Sequence, residues 1–228
     1  MNKQEVLQRT ARYLMLHSSF TDKIGLFEGK MGIILFFMNY SRYTRCKRYE
    51  KFAGELIDEI YAEIHIDCSP DFGNGLAGIA WGMEYLIRNH FVKADPDKVL
   101  IELDNRILER DVRRVKDFSV ENGLKGIATY VISRCAGRKY SCIFEEYIFD
   151  LAQALQASTP DDKESFRLAG ILQDIINKNE TSNETDFLDR FIAKIQIKDP
   201  LNFIIGRNLG IRGGHAGIGL KMMQEESV

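Results

Sequence analysis

Four copies of a Gly-x-x-Gly-Ile signature run through this chain, and their spacing rules out most folds before any other residue is considered. They are Gly29-Lys30-Met31-Gly32-Ile33, Gly75-Leu76-Ala77-Gly78-Ile79, Gly123-Leu124-Lys125-Gly126-Ile127 and Gly214-His215-Ala216-Gly217-Ile218. The second glycines of the first three copies stand 46 and 48 residues apart, and the next step is about two such periods. A degenerate copy fills the gap at Arg167-Leu168-Ala169-Gly170-Ile171, which keeps the second glycine and the isoleucine. Five copies at this period predict a repeat architecture of helix pairs, because one pair cannot bury its own apolar face and must stack on its neighbours.

The hydrophobic pattern divides each copy in two. Amphipathic stripes run through Val6, Leu7, Ala11 and Leu14; Phe52, Leu56, Ile57, Ile60, Tyr61 and Ile64; and Val99, Leu100, Leu103, Ile107 and Leu108 behind Pro96. Two more follow from Ile143 to Leu155 and from Phe187 to Ile195. These read as outer helices. The glycines open segments that are apolar nearly all round, such as Met31 to Met38 and Ala77 to Leu86, and a helix without a polar face is covered on every side. The fourth such segment starts at Pro160-Asp161-Asp162, and the fifth runs from Gly214 to Val228. A polar connector is expected at Asn177 to Glu184 and a long loop through Pro200, Gly206 and Gly210. No alternating runs bounded by hairpin turns are present, so the chain is read as all-α.

The pattern fits a single domain over residues 1–228, an α/α toroid with inner and outer rings built from about five helix pairs. Glycines favour the closed ring over an open solenoid, since a residue without a side chain lets backbones approach where inner helices crowd an axis. Asn74 and Asn122 precede two of the first glycines and are strong capping types, which places the signature at helix N-termini. The helix from Asn2 to His17 is the one unpaired outer element, and packing beside the last inner helix would close the ring and leave a monomer or weak dimer.

Composition narrows the partners. The 31 basic and 33 acidic residues give a net charge of −2, which provides no whole-chain field for nucleic acid or an anionic membrane. Cys46, Cys68, Cys135 and Cys142 form neither a CxxC pair nor a disulfide scaffold, as in a cytoplasmic protein. The strongest apolar run, Met31 to Met38, is far below the roughly 20 residues of a membrane span, and no export signal is visible.

In a toroid the inner N-termini share one mouth, where free N–H groups and the helix dipole favour anionic or carbonyl groups. The candidate ligand-binding side chains there are Glu28, Asp71, Asn74, Asn122, Arg212 and His215, with Glu121 beside them. His215 is the candidate general base, with Glu28 or Glu121 as its partner, and Arg212 suits a carboxylate or phosphate. His65 and Cys68, three residues apart near the end of an outer helix, fall short of the three or four ligands of a zinc site. Cys135 and Cys142 read as packing residues flanking an inter-helix turn. The cluster Arg42, Arg45, Lys47, Arg48 and Lys51, with Tyr40, Tyr43 and Tyr49 interleaved, reads as the charged end of a helix rather than a nucleic-acid patch.

With its Gly-x-x-Gly copies, above all Gly25 to Ile33, Gly75 to Ile79 and Gly213 to Ile218, the chain resembles the lanthionine synthetase C-like family of α/α toroids. The resemblance implies a peptide substrate. In the cyclases of that family a zinc held by two cysteines and a histidine activates a peptide thiol for addition to a dehydrated serine or threonine. The cyclases carry their ligands in Trp-Cys and Cys-His-Gly segments, whereas the positions before the first glycines here are Phe27-Glu28, Gly73-Asn74, Glu121-Asn122 and Arg212-Gly213. No metal site and no cofactor is therefore expected, and the full-length cyclases have seven repeats against five here. The leading expectation is a zinc-free protein that binds a peptide or assists its modification at the toroid mouth. Two alternatives are a carbohydrate-active α/α-barrel enzyme using Glu28 and Glu121 as acid and base, and a non-enzymatic interaction scaffold.

Overall fold

The computed structural model describes residues 2–136, 142–178, 187–197 and 208–225, with 142–144 as backbone only. Its α-helices are α1 (Lys3–His17), α2 (Lys30–Thr44), α3 (Lys47–Glu63), α4 (Leu76–Arg88), α5 (Pro96–Val99), α6 (Ile101–Leu108), α7 (Leu124–Cys135), α8 (Cys142–Gln156), α9 (Lys163–Ile176), α10 (Phe187–Ala193) and α11 (His215–Gln224). Among the described residues there is no strand, and no helix is long and apolar enough to cross a membrane. Most of the connector expected at Asn177 to Glu184, and Pro200 and Gly206, fall outside the described residues.

The helices that follow glycines are the buried ones. α2 buries eleven of its 15 residues, α4 ten of 13, α7 ten of 12 and α11 seven of ten, whereas α3 buries only Ala53, Leu56 and Ile60 of its 17. This contrast separates covered helices from helices with one buried face, as the apolar pattern predicts. The third outer stripe is not one helix, however: it breaks at Leu100 into α5 and α6, with Pro96 at the first position of α5 and Asp95 capping it. In α9 the cap is Asp162, whose carboxylate accepts from the Ser165 backbone and side chain and lies 3.0 Å from Lys125 Nζ.

The chain forms two compact units. The first comprises residues 1–68 with 188–228, and the second residues 69–187. In the first, α2 packs along α3, α11 lies against α2, and α1 packs on α11, the neighbour the sequence assigns to it. Leu220, Met222 and Met223 of α11 are buried there. At the far end of α2 an aromatic ladder joins Phe36, Phe37, Tyr40, Tyr49 and Phe52, with Tyr40 only 4% exposed. Burial, followed by the neighbouring Tyr49, pushes the Tyr40 phenol up to about 12. In the second unit α4 packs on α6 and α7, and α7, α8 and α9 pack on one another.

Candidate functional site

The first glycine of all four full copies is the N-cap of its helix. Its backbone is extended, with φ of −122° at Gly29, −117° at Gly75, −113° at Gly123 and −88° at Gly214, so no glycine-only conformation is in use. A carbonyl six residues upstream excludes the side chain instead. A Cβ on Gly75 would collide with the backbone oxygen of Ser69 and crowd Asp71, and Gly29 and Gly123 stand in the same relation to Lys23 and Asp117.

That carbonyl sits so close because it accepts the N–H of the first helical residue. Lys30 donates to Lys23 at 2.8 Å, Leu76 to Ser69 at 2.8 Å, Leu124 to Asp117 at 2.9 Å and His215 to Asn208 at 3.0 Å. Each loop folds back on its own helix start and caps it. The second glycine completes the frame, since a Cβ on Gly32, Gly126 or Gly217 would strike the carbonyl of Leu26, Val120 or Ile211. These three residues and Phe72 stand three positions before the first glycine; Leu26, Phe72 and Ile211 are fully buried and Val120 is half-buried. This recurring apolar residue is a sequence signal that the glycine pattern alone misses.

The self-capping corrects the expectation of open helix N-termini. In α2 the N–H groups of Lys30 and Met31 are taken by Lys23 and Ile24, and in α11 those of His215, Ala216 and Gly217 by Asn208, Leu209 and Gly210. In these two helices the donors expected to attract a ligand carboxylate are satisfied by the chain itself, and in α4 and α7 the first of them is. The glycines likewise serve the approach of the chain's own upstream loop rather than crowding at an axis. Asn74 and Asn122 precede the caps and are not the caps themselves.

Within each unit two loops are joined. In the first, Arg212 N–H donates to the Phe27 carbonyl at 3.0 Å. In the second, Gly73 N–H donates to the Glu121 carbonyl at 2.7 Å, and Arg110 clamps both loops, with Nη1 2.6 Å from Asp71 Oδ1 and Nη2 3.0 Å from the Asn122 carbonyl.

The candidate side chains divide accordingly. Glu28, Arg212 and His215 belong to the first unit, and Asp71, Asn74, Glu121 and Asn122 to the second. Glu28 is half-buried and its carboxylate is 2.7 Å from Lys23 Nζ, a hydrogen bond that raises the lysine pKa. Arg212 is exposed, its guanidinium 6.0 Å from the centroid of the Phe27 ring. Asn74 and Asn122 are exposed, and Glu121 is half-buried. His215 is not solvent-facing: it is 3% exposed and packs on Tyr13 of α1, ring centroids 4.5 Å apart. The second residue of this Gly-x-x-Gly segment is thus buried, with α1 docked over it.

His65 and Cys68 sit on the turn after α3, which ends at Glu63; the His65 N–H is 3.5 Å from Cys68 Sγ, and His65 Nδ1 accepts from Asp67 N–H at 3.3 Å. Among the described residues no three His, Cys, Asp or Glu side chains are placed to share a metal ion.

A polar cluster unforeseen in the apolar pattern lies inside the second unit. Asp104 of α6 is 3.0 Å from both Arg134 Nε and Nη2 and accepts from the Tyr130 hydroxyl, and Arg134 Nη1 reaches Asp97 at 2.7 Å. Nearby Glu84 is fully buried, 3.2 Å from Arg88, which also donates to the Ser133 carbonyl. Burial, then the Asp104 charge, pushes the Tyr130 phenol well above its ordinary value. Burial works against the Arg134 charge, but the hydrogen bonds and charges of Asp104 and Asp97 outweigh it and the pKa rises. Paired in this way, the group clamps α6 to α7. Glu84 and Arg134 are its trace in the sequence, being charged residues within the mostly apolar segments of α4 and α7.

No protein-family model, no curated protein and no solved structure matches the chain.

Proposed function

We propose that this chain is a zinc-independent protein of the lanthionine synthetase C-like kind, a small α/α toroid of about five helix pairs that binds a peptide at the tips of its glycine-capped loops. The observation that supports this reading is a constant frame with variable tips. All four loops share the carbonyl-to-helix bond and the apolar anchor, while the two residues before the first glycine change from Phe27-Glu28 to Gly73-Asn74, Glu121-Asn122 and Arg212-Gly213. Polar side chains varied on a fixed backbone make a recognition surface. Asn74 and Asn122 suit a peptide backbone, and Arg212 suits a carboxylate. The tips offer no cysteine and no histidine, so they do not fit the thiolate-held zinc of the cyclases. With His215 beneath Tyr13, binding is favoured over cyclisation.

A displayed peptide library selected on the wild-type protein tests this. Each enriched peptide is expected to bind one of two variants, Arg212→Ala in the first unit or Asn122→Ala in the second, about tenfold more weakly, the loss of one to two polar contacts. Equal binding to wild type and variants would contradict the reading, as would one zinc per chain in protein purified without chelator. A non-enzymatic scaffold is the second reading. It is favoured by the inward burial of Phe27 on Phe191, and of Phe72 on Trp81 and Phe187, and it predicts that the library enriches nothing.

A further inference from the structure

We propose that the tip of the α2–α3 hairpin is a docking surface for a short acidic polypeptide segment. Arg42, Arg45, Lys47, Arg48 and Lys51 crowd ten residues that hold one acid, Glu50, in a chain whose net charge is −2. All five cations are exposed. Only Arg42 and Arg45 stand at a helix C-terminus, where the dipole welcomes positive charge. Lys47 and Arg48 are the first two residues of α3, where the dipole opposes them, so the reading of the cluster as an ordinary helix end accounts for less than half of it.

Arg45 adds a second cost. It closes α2 in the left-handed conformation, φ 55°, at the position where glycine is the usual residue. The side chains of Arg45, Lys47 and Arg48 make no ion pair or hydrogen bond with the described residues. Three unpaired cations are thus held together at a two-residue connection and the helix start that follows it, at positions where a neutral residue or glycine would serve the fold better.

The surroundings select the occupant. Past the tip, α3 carries Glu55, Asp58, Glu59 and Glu63, so a long polyanion running along the helix is repelled after a few charges. Nucleic acid would also need aromatic faces, but Tyr40 is buried and engages Tyr43 and Tyr49 in the ladder. A membrane surface would need an apolar group beside the cations, and none of the exposed large apolar side chains falls between residues 42 and 51. A short run of aspartates or glutamates in a partner chain matches what remains.

The inference is independent of the peptide reading for the glycine loops and is tested separately. Dye-labelled octaglutamate, a single-stranded oligonucleotide of equal charge and phosphatidylserine vesicles are titrated against wild type and the triple variant Arg45→Gly/Lys47→Gln/Arg48→Gln. Octaglutamate is expected to bind wild type, to bind the variant about tenfold more weakly, and to weaken severalfold between about 50 and about 200 mM salt. The variant's melting temperature should stay level or rise, because glycine fits the left-handed position and the opposed cations are gone. Equal octaglutamate binding by both proteins overturns the proposal, and so does tighter wild-type binding of the oligonucleotide or the vesicles.

Discussion

Replacing Gly75 by alanine is expected to destabilise the chain by about 3 kcal/mol or more, while the same change at Gly170 is expected to stabilise it by up to about 1 kcal/mol. At Gly75 the new methyl meets the Ser69 oxygen and two backbone atoms of Asp71, none of which can rotate away as a side chain would. Relief requires moving the loop, which breaks the Leu76-to-Ser69 bond and pulls on the Gly73-to-Glu121 bond at 2.7 Å. Gly170 sits exposed inside α9 with nothing within 4 Å of an added Cβ, so alanine there contributes helix propensity alone. Urea titrations of the two variants check the opposite signs, and a shared sign would show that the glycines of the loops serve no close approach.

The second large effect concerns the buried cluster. Asp104→Ala is expected to cost about 3–5 kcal/mol, because it leaves the Arg134 guanidinium, 9% exposed, facing Asp97 alone and strands the Tyr130 hydroxyl. Asp97→Ala is expected to cost under about 1 kcal/mol, since that carboxylate is 68% exposed and screened by water. The triple change Asp104→Leu, Tyr130→Phe and Arg134→Met should recover most of the loss, since an apolar replacement removes both the charges and their burial cost. Tyr130 also sets an alkaline limit. Its folded pKa lies well above the ordinary 10.0, so its contribution is complete below pH 10 and is lost as pH rises toward the folded value. Thermal melts of the single, triple and Asp97 variants compare these costs, and a triple variant no more stable than Asp104→Ala would show that the pairing is not the cause.

Much of this architecture was legible from residues alone. α2, α4, α7 and α11 were readable because glycine at the cap coincides with a segment too apolar to face water, and α1 because its stripe needed a neighbour. Gly170 misled: it aligns with the second glycines by spacing, yet it lies eight residues past the Asp162 cap of α9, because the period constrains helix order and not the register within a helix. The split between α5 and α6 had no breaker to announce it, since Leu100 continues the apolar stripe. For the site, the sequence located the loops but not their conformation. A bond from a helix N–H to a carbonyl seven positions earlier leaves no composition signature beyond the apolar anchor at Leu26, Phe72, Val120 and Ile211. His215 could not be placed by its own sequence position, because its burial depends on Tyr13 some 200 residues away.

Amide hydrogen exchange at the first residue of each glycine-capped helix tests the loop frame most directly. In an ordinary helix this amide faces water and exchanges freely, as expected here for Lys47 of α3, whose N–H has no partner among the described residues. The amides of Lys30, Leu76, Leu124 and His215 donate to loop carbonyls at 2.8 to 3.0 Å, and they are expected to exchange about a hundredfold more slowly than Lys47. Exchange of all four at the Lys47 rate would contradict the self-capped loops on which the proposed binding surface rests.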